Sequence, residues 1–304
     1  MTLRDGIRAL RMFARSHRLY RDTLRDGARA WRLLFSSSAV RFRARSGAEV
    51  SVPSIYWTML PTVCRLLRDG ATPAWEGEML KVAYGELVLY APPLDKSIGW
   101  TLREIFIDDA YGVSGLDLTG QTVLDVGAYI GDSTVAFALR GARVHAFEPV
   151  PLLQAYLSKN VAANGLSERV TVHGVGLSDR DEVLSVAVNL AGLAGATVQP
   201  VDRRPRTRAD LRVQELKMVD ANDYLARQGI VSADIVKLDC EGCEYRLLRD
   251  GALIESLRPR RLMMEYHRGG APLYETLLRH GYRVNWPQRD GPMGYMDAIR
   301  ETAT

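Results

Sequence analysis

The 304-residue chain contains only three cysteines, Cys64, Cys240 and Cys243, and no apolar run near the ~20 residues of a transmembrane helix. So few cysteines argue against a disulfide framework. Cys240 and Cys243 are spaced as C-x-x-C; we interpret them as small packing residues, with a thioredoxin-like redox pair as the alternative. The basic N-terminus lacks the apolar segment of a secretory signal. We therefore expect a cytoplasmic protein, with peripheral membrane attachment as a second option.

Excess positive charge is confined to the first part of the chain. Residues 1–45 contain twelve Arg and three Asp, a net charge of +9, whereas the whole chain carries +4. The remaining residues therefore carry a net negative charge. An acidic body gives no reason to expect a nucleic-acid partner.

Residues 1–45, called the basic arm below, show a helical pattern. Apolar residues and arginines recur at spacings of three or four, and TLRDGIRALR at 2–11 returns as TLRDGARAWR at 23–32. This pattern predicts an amphipathic helical extension with a basic stripe. Its apolar stripe would cover the body of the protein, mediate homo-oligomerisation with a second copy, or contact an anionic membrane.

Strand-like and helix-like segments alternate from residue 122 onward. Repeated β-α units predict an α/β fold with a doubly wound, Rossmann-like, mainly parallel sheet. The segments GYRVNW and GYMDAI predict a C-terminal β-hairpin, and the basic arm predicts an N-terminal helical extension. The predicted strands are 122–127, 143–148, 170–175, 182–188, 233–239 and 260–266, and the predicted helices are 131–140, 151–164, 219–228, 241–249 and 271–280.

The segment VLDVGAYIGDST at 123–134 predicts a strand, a glycine turn and the start of a helix, which is typical of a nucleotide-like cofactor site. A P-loop is excluded because no Lys follows Gly131. A dinucleotide site prefers G-x-G-x-x-G, but Tyr129 stands two residues after Gly127 and would crowd a pyrophosphate. The turn therefore suits a ligand without a pyrophosphate, such as S-adenosylmethionine.

Glu148 lies at the end of the second predicted strand, 21 residues after Gly127. A carboxylate at this position can accept two hydrogen bonds from the hydroxyls of a ribose. The combination of the glycine turn, the following helix and this acid favours S-adenosylmethionine as the cofactor.

Four segments resemble the FkbM family of S-adenosylmethionine-dependent methyltransferases. They are REIFIDDAYG at 103–112, VLDVGAYIGDSTVAFALRGARVHAFEPVP at 123–151, DIVKLDCEGCEYRLL at 234–248 and LMMEYH at 262–267. The resemblance covers roughly residues 100–285 and implies a methyltransferase domain at 76–304 after a basic helical extension at 1–75. Tyr129 departs from the family pattern, in which Asn is usual.

The resemblance also implies which residues bind the cofactor. The glycine turn would hold the methionine end, Glu148 the ribose, the segment after the third strand the adenine, and an upstream tyrosine would close over the ligand. The implied cofactor-binding residues are Tyr111, Asp125, Gly127, Ala128, Tyr129, Gly131, Asp132, Ser133, Glu148, Pro149, Ser178 and Asp179.

Candidate catalytic residues lie at the ends of the predicted strands 233–239 and 260–266. Methyl transfer to a hydroxyl needs alignment with the methyl group and benefits from a general base. Asp239 and His267 are the candidate bases, although Asp239 could instead cap the helix that follows it. Asp239 and Glu265 could together hold Mg²⁺. Because their spacing is no dedicated metal signature, we predict no metal site.

The resemblance implies O-methylation of a hydroxyl on a small-molecule or glycan acceptor, such as a sugar or a polyketide-type metabolite. A polar segment at 190–212 would border the acceptor site. Its arginines would either meet an anionic acceptor or form a solvated loop; they are Arg203, Arg204, Arg206 and Arg208.

Two other classes of function are alternatives. A nucleotide-binding oxidoreductase is disfavoured by Tyr129. A non-catalytic, membrane-associated adaptor with a vestigial fold is disfavoured because Asp125, Gly127 and Glu148 are intact.

Overall fold

The computed structural model describes residues 3–189, 211–287, 289 and 291–301. The described residues form two compact units that divide between Glu104 and Ile105. Within these ranges no helix is both long and apolar enough to cross a membrane. The segment predicted to border the acceptor lies almost wholly outside the described residues, so its role stays a prediction.

The first unit combines helices with two small antiparallel sheets. Its helices are α1 (Leu3–Thr23), α2 (Arg32–Phe35), α3 (Leu60–Arg68) and α4 (Ile98–Leu102), with 3-10 helices at Gly27–Trp31 and Ser54–Met59. Its strands are β1 (Val40–Arg43), β2 (Glu49–Val52), β3 (Thr72–Glu76), β4 (Met79–Tyr84) and β5 (Leu87–Ala91). β1 pairs with β2, and β3, β4 and β5 form a meander.

The N-terminal extension is helical in its first half and contains strands later. α1 and the short helices up to Phe35 follow the predicted pattern, but residues 40–52 form a β-hairpin. In β1, Val40 and Phe42 are buried and the arginines between and after them are exposed. This alternation has the period of two that a half-buried strand requires, and it ends the helical periodicity.

Two apolar residues of α1, Phe13 and Tyr20, are buried inside its own unit, and so is Leu24, which directly follows α1. All three belong to one hydrophobic core with Phe42 and Leu60. The ring of Phe13 also stacks on that of Trp31, with 4.8 Å between the ring centroids. This part of the stripe therefore packs on apolar residues of its own unit, and contact of the arm with a second copy or with a membrane stays a prediction.

The predicted division into residues 1–75 and 76–304 differs from the two compact units. A boundary after residue 75 would cut β3, in which Trp75 pairs with Leu80 of β4. The ladder hydrogen bonds of the meander keep its three strands in one unit. The units consequently divide after α4, within a π-helical turn at Arg103–Ile107.

The second unit is a layered α/β structure. Its strands are β6 (Thr122–Val126), β7 (Arg143–Phe147), β8 (Val170–His173), β9 (Gly176–Ser178), β10 (Glu182–Asn189), β11 (Leu211–Asp220), β12 (Ile235–Leu238), β13 (Arg261–Tyr266), β14 (Tyr282–Asn285) and β15 (Gly294–Arg300). Its helices are α5 (Asp132–Leu139), α6 (Pro151–Ala163), α7 (Ala221–Arg227), α8 (Glu244–Leu247), α9 (Ala252–Leu257) and α10 (Ala271–Arg279).

The main sheet has seven strands in the order β14-β15-β13-β12-β6-β7-β8. The five strands from β13 to β8 are parallel, and β15 runs antiparallel to β13 and β14. The predicted doubly wound α/β sheet and its C-terminal hairpin are confirmed. A smaller sheet has the order β10-β11-β9.

The strand order reverses direction between β6 and β12. From β6 the chain moves outward to β7 and β8, and it later returns beside β6 as β12 and moves the other way to β13. Ligands of open α/β sheets bind beyond the carboxyl ends of the strands at such a reversal. The fold therefore brings the turn after β6 together with Asp239, which follows β12.

The helix predicted at 241–249 forms only as α8, because two residues before it adopt left-handed backbone angles. Glu241 has φ +58 and Gly242 has φ +122, outside the range of a right-handed helix. The helix predicted at 219–228 likewise begins later, at α7, because β11 extends to Asp220. The carboxylate of Asp220 then caps α7 by accepting a hydrogen bond from the backbone of Asp223.

Replacing Leu24 by Ala should destabilise the first unit. Leu24 is 1% exposed within the hydrophobic core, so its truncation should lower the free energy of unfolding by about 2–5 kcal/mol. Urea denaturation followed by circular dichroism measures this change. The exposed Arg11→Ala is the control and should change stability by no more than about 0.5 kcal/mol. Equal stability of the two variants would contradict the burial of the arm.

Candidate active site

The centre of the site is a buried ion pair between two neighbouring strands. Lys237 of β12 lies directly across from Asp125 of β6 in the parallel register. The Lys237 ammonium lies 3.1 Å from Oδ1 of Asp125 and donates a hydrogen bond of 2.9 Å to the carbonyl oxygen of Gly127. One cation therefore joins β6, the start of the glycine turn and β12.

The charges around Lys237 keep it protonated. Burial alone would lower its pKa, but the carboxylates of Asp125, Asp239 and Asp132 outweigh burial and raise the pKa above its usual range. Lys237 is 2% exposed and Asp125 is fully buried. Charges so deeply buried must be paired, since an isolated buried charge carries a large desolvation cost.

Asp125 also holds the first turn of α5. Its Oδ2 accepts hydrogen bonds from the hydroxyls of Ser133 at 2.7 Å and Thr134 at 2.6 Å. Asp132 accepts a hydrogen bond from the backbone of Ser133 at 2.9 Å. Three predicted cofactor contacts, Asp125, Asp132 and Ser133, thus form a buried support under the turn, and their contact with the cofactor stays a prediction.

The two glycines of the turn have little room around their Cα atoms. Gly127 has φ +78, and a Cβ added there would lie 1.9 Å from the carbonyl oxygen of Asp239. Gly131 has φ +86, and its added Cβ would lie 2.4 Å from Leu157 in α6. Any side chain at Gly127 would collide with the backbone that carries Asp239, so glycine is required for the two strand ends to meet.

Ala128 and Tyr129 complete the turn. The backbone amides of Gly127 and Ala128 both donate to the carbonyl oxygen of Phe147 at 3.0 Å, which fixes the turn against the end of β7. Ala128 is fully buried, and Tyr129 adopts φ +51.

Glu148 follows β7 and faces the glycine turn. Its two carboxylate oxygens accept hydrogen bonds from different backbone amides, Oε2 from Tyr129 at 3.0 Å and Oε1 from Val150 at 2.9 Å. Glu148 is 5% exposed, and burial raises the pKa of its carboxyl to about 7 despite these two donors. The structure thus brings the predicted ribose-binding acid directly to the predicted turn, with the half-buried Pro149 beside it.

Asp239 lies at the carboxyl end of β12, beside the end of β13. Its side chain is 29% exposed, and its Oδ2 lies 3.7 Å from the Lys237 ammonium. The hydroxyl of Tyr111 donates to the same oxygen at 3.4 Å. Tyr111, the predicted upstream tyrosine, therefore contacts the candidate base Asp239. The centroid of its ring lies 6.0 Å from the ammonium nitrogen of Lys237.

His267 follows β13 and is held by two acids. Its Nδ1 lies 3.2 Å from Oε1 of the fully buried Glu244, and its Nε2 lies 3.6 Å from Oε2 of Glu241. Burial alone would lower the pKa of His267, but its hydrogen bond to Glu244 and the charges of Glu241 and Asp239 raise the pKa to about 9. His267 is therefore an imidazolium at neutral pH.

Two groups of side chains among the described residues could hold a metal ion. One ligand atom from each of Asp239, Glu265 and His267 lies within 4.8 Å of the others, and Cys240, Cys243 and Glu244 form a second such group. The second group lacks thiolates, because Cys240 and Cys243 form a disulfide bond. The prediction that there is no metal site stays a prediction.

The disulfide bond corrects the interpretation of Cys240 and Cys243 as unlinked packing residues. The loop between them turns through the left-handed residues Glu241 and Gly242, which brings the two Cα atoms to 5.4 Å. This separation is normal for a disulfide. Cys64, the remaining cysteine, is free and buried.

Ser178 and Asp179, predicted to contact adenine, bind arginines of the segment around α8. Ser178 accepts a hydrogen bond from Arg246 at 2.8 Å. Asp179 lies 3.3 Å from Arg246 and 3.2 Å from Arg249. These pairs fix the loop after β9, and the adenine contact stays a prediction.

From the sequence, neither Lys237 nor Glu244 was identified as a residue of the site. Lys237 lies within the predicted strand 233–239, and Glu244 lies within the helix predicted at 241–249. Both join the site through contacts with residues that are distant in the chain, Lys237 with Asp125 and Glu244 with His267. A charged residue in the middle of an otherwise apolar strand is the signal that could have identified Lys237.

Replacing Lys237 by Met should strongly destabilise the second unit. The substitution keeps most of the side-chain volume but leaves the buried Asp125 carboxylate without its cation, which should cost about 3–5 kcal/mol of unfolding free energy. Urea denaturation followed by circular dichroism tests this. Lys217→Met, at an exposed position of β11, should change stability by no more than about 0.5 kcal/mol. If the two variants had similar free energies of unfolding, the ion pair would not make the proposed contribution to stability.

Comparisons with known proteins connect this geometry to a family. The family model of the methyltransferase FkbM domain matches residues 125–284. The 31-O-demethyl-FK506 methyltransferase FkbM of Streptomyces tacrolimicus is 31% identical over 214 residues, which cover 60% of this chain and 80% of that protein. Methyltransferase sdnD of Sordaria araneosa is 29% identical over 174 residues, which cover 48% of this chain and 66% of that protein.

Among solved structures, methyltransferase FkbM from Methylobacillus flagellatus KT matches this chain. It has a TM-score of 0.38 and 16% identity, and the match covers 67% of this chain and 54% of that chain. The matched family region contains both strand ends of the site, from Asp125 through Asp239 to His267. The resemblance expected from the sequence is confirmed: the chain belongs to the FkbM methyltransferase family.

Proposed function

We propose that this methyltransferase transfers the methyl group of S-adenosylmethionine to a hydroxyl oxygen of a sugar, a glycan or a polyketide-type metabolite. Family membership confirms the predicted methyltransferase activity and S-adenosylmethionine as its cofactor. The choice of an oxygen acceptor rests on one observation: a partly exposed carboxylate, Asp239, lies at the reversal of strand order, against the glycine turn.

The residues present suit the cofactor. Each oxygen of Glu148 accepts one backbone hydrogen bond, and a carboxylate oxygen has a second lone pair. The two remaining lone pairs match the two hydroxyls of a ribose. Asp125 is occupied by two hydroxyls and Lys237, so we assign it the positioning of the turn.

The acceptor hydroxyl needs a proton acceptor, and the local charges favour Asp239 over His267. With its pKa raised to about 9, His267 already carries a proton at neutral pH and is a poor base. Asp239 accepts from Tyr111 at one oxygen only and is partly exposed. When bound, S-adenosylmethionine supplies an electrophilic methyl group, and Asp239 takes the proton of the attacking hydroxyl.

The name of the Streptomyces relative describes methyl transfer to 31-O-demethyl-FK506, a compound that lacks an O-methyl group. An acceptor of this chemical kind supports the hydroxyl proposal for the present chain. A nucleotide-binding oxidoreductase gains no support, because the matching family is one of methyltransferases.

Binding of S-adenosylhomocysteine should strengthen as the pH rises through about 7. The carboxylate form of Glu148 accepts both ribose hydroxyls, but burial raises its pKa to about 7, so below that pH binding must first remove a proton. Affinity should fall by up to about tenfold per pH unit below the pKa. Titration calorimetry measures this, and NAD should bind weakly.

Two substitutions isolate the role of Glu148. In Glu148→Gln, the affinity for S-adenosylhomocysteine should lose the part of its pH dependence that comes from the Glu148 carboxyl. Any pH dependence that remains would come from titration of other groups, including the ligand itself. Glu148→Ala should weaken binding by roughly 1.5–3 kcal/mol, the usual value for hydrogen bonds to a charged group. Tight NAD binding without S-adenosylhomocysteine binding would overturn the cofactor assignment.

Replacing Asp239 by Asn should lower kcat by about 10²- to 10⁴-fold, the usual contribution of a general base. The change keeps the shape of the side chain, so the affinity for S-adenosylhomocysteine should stay within a few-fold. Transfer of labelled methyl groups to a panel of deoxysugar glycosides, lipid-linked glycans and macrolide-like alcohols identifies the acceptor and measures the rate. Mass spectrometry of the product locates the methylated atom.

His267→Gln is the matched comparison and should reduce turnover less than Asp239→Asn. Each assay is run with and without a chelator, because loss of a bound cation would resemble loss of a base. Near-normal turnover of Asp239→Asn under both conditions would show that alignment alone drives the reaction. A product methylated at nitrogen or carbon would refute the hydroxyl acceptor.

A further inference from the structure

The basic arm keeps an exposed positive surface even though Phe13, Tyr20 and Leu24 are buried. Its described acids already form ion pairs: Asp22 with Arg18 and Arg21, and Asp26 with Arg29. Six exposed arginines of the arm have no carboxylate within ion-pair distance among the side chains that the structure describes. They are Arg11, Arg15, Arg25, Arg32, Arg41 and Arg45. This surface therefore attracts anions.

Four large apolar side chains are exposed in the same unit, Trp31, Phe35, Ile55 and Trp100, and the first three lie on neighbouring elements. Trp31 is 41% exposed, Phe35 in α2 is 81% exposed, and Ile55 in the 3-10 helix Ser54–Met59 is 73% exposed. Trp31 directly precedes α2, and α2 packs against the helix that carries Ile55. The three side chains thus lie on neighbouring elements, close to the unpaired arginines in the chain.

A cavity of about 600 Å³ in the same unit is lined both by the exposed Trp31 and by the exposed Arg25. Phe13, Tyr20 and Trp31 contribute aromatic walls, and Arg25 and Arg45 contribute positive charge. The lining contains no carboxylate. An aromatic pocket with cationic groups suits a molecule that has both an apolar part and an anionic group.

We propose that the first unit binds the surface of a membrane that contains anionic phospholipids. The phosphate of a lipid headgroup lies against Arg25 and Arg45, and Trp31, Phe35 and Ile55 enter the boundary between headgroups and acyl chains. Arginines beside exposed aromatic and aliphatic side chains are the pattern of interfacial membrane binding. The proposal is independent of the acceptor and of the catalytic residues.

Other occupants fit the same surface less well. In a two-fold symmetric dimer the same patch of both subunits meets, so this face would place unpaired arginines against identical arginines. A nucleic acid would satisfy the arginines through its phosphates but would offer no apolar environment to Phe35 and Ile55. A membrane surface satisfies both the charge and the apolar side chains.

The test is vesicle co-sedimentation of the full chain. Vesicles of phosphatidylcholine alone are compared with vesicles that also contain phosphatidylglycerol, at low and high salt. We expect binding only to the phosphatidylglycerol vesicles, weakened by salt. Binding that is equal for both compositions, or absent for both, would overturn the proposal.

Substitutions of exposed residues locate the contact. Arg25→Gln with Arg45→Gln should weaken vesicle binding by about fivefold per arginine. The control pair, Arg143→Gln with Arg227→Gln, removes the same charge from exposed positions of the second unit and should leave binding unchanged. Equal effects of the two pairs would show attraction by net charge alone and would refute the assigned surface.

Phe35→Ser should also weaken binding to phosphatidylglycerol vesicles, whereas Val231→Ser, at a 76% exposed position of the second unit, should not. Circular dichroism and affinity for S-adenosylhomocysteine should be unchanged in every variant, which separates lost membrane contact from lost folding or cofactor binding.

If Phe35→Ser leaves vesicle binding intact but converts a dimer to a monomer in light scattering, the face joins two copies. Tighter binding to duplex DNA than to vesicles, unaffected by Phe35→Ser, would assign it to nucleic acid. Either result overturns the proposal.

Discussion

The Lys237 ammonium is a buried charge in the middle of a sheet, and the site is arranged around the groups that compensate it. Asp125 pairs with it at 3.1 Å, the carbonyl oxygen of Gly127 accepts its hydrogen bond, and Asp239 lies 3.7 Å away. Removing such a charge from water is costly unless its partners are held in place. The turn after β6 and the end of β12 are therefore fixed relative to each other before any ligand binds.

This constraint also explains why the two carboxylates of the site differ in behaviour. Glu148 is enclosed between the turn and the end of β7, and burial raises its pKa to about 7. Asp239 lies at the open end of β12, partly exposed beside Tyr111. In the proposed function, Glu148 binds the ribose hydroxyls and Asp239 accepts a proton. Their different environments would then let the two acids at one strand reversal serve different roles.

The charged side chains of the two units are arranged differently. In the second unit, the charges of the site are paired in buried networks such as Lys237 with Asp125 and His267 with Glu244. In the first unit, arginines outnumber the acids, and several exposed arginines have no carboxylate within ion-pair distance among the described side chains. Buried pairs fix geometry, whereas unpaired surface charges act on external anions through the solvent.

The sequence by itself determined the features that depend on neighbouring residues: the alternation of strands and helices, the glycine turn, Glu148 at the end of the second strand, and the family. Such features follow from local periodicity and backbone limits, as at Gly127 with φ +78.

The tertiary structure alone decided the contacts between distant residues. The hydrogen bond from Lys237 to Gly127 spans 110 positions, and that from Tyr111 to Asp239 spans 128. The tertiary structure likewise decided that His267 is held by Glu244 and that Phe13 and Tyr20 of α1 are buried. Contacts between distant residues depend on how the whole chain packs. A local sequence pattern therefore does not show which distant charge or apolar surface will lie next to a given residue.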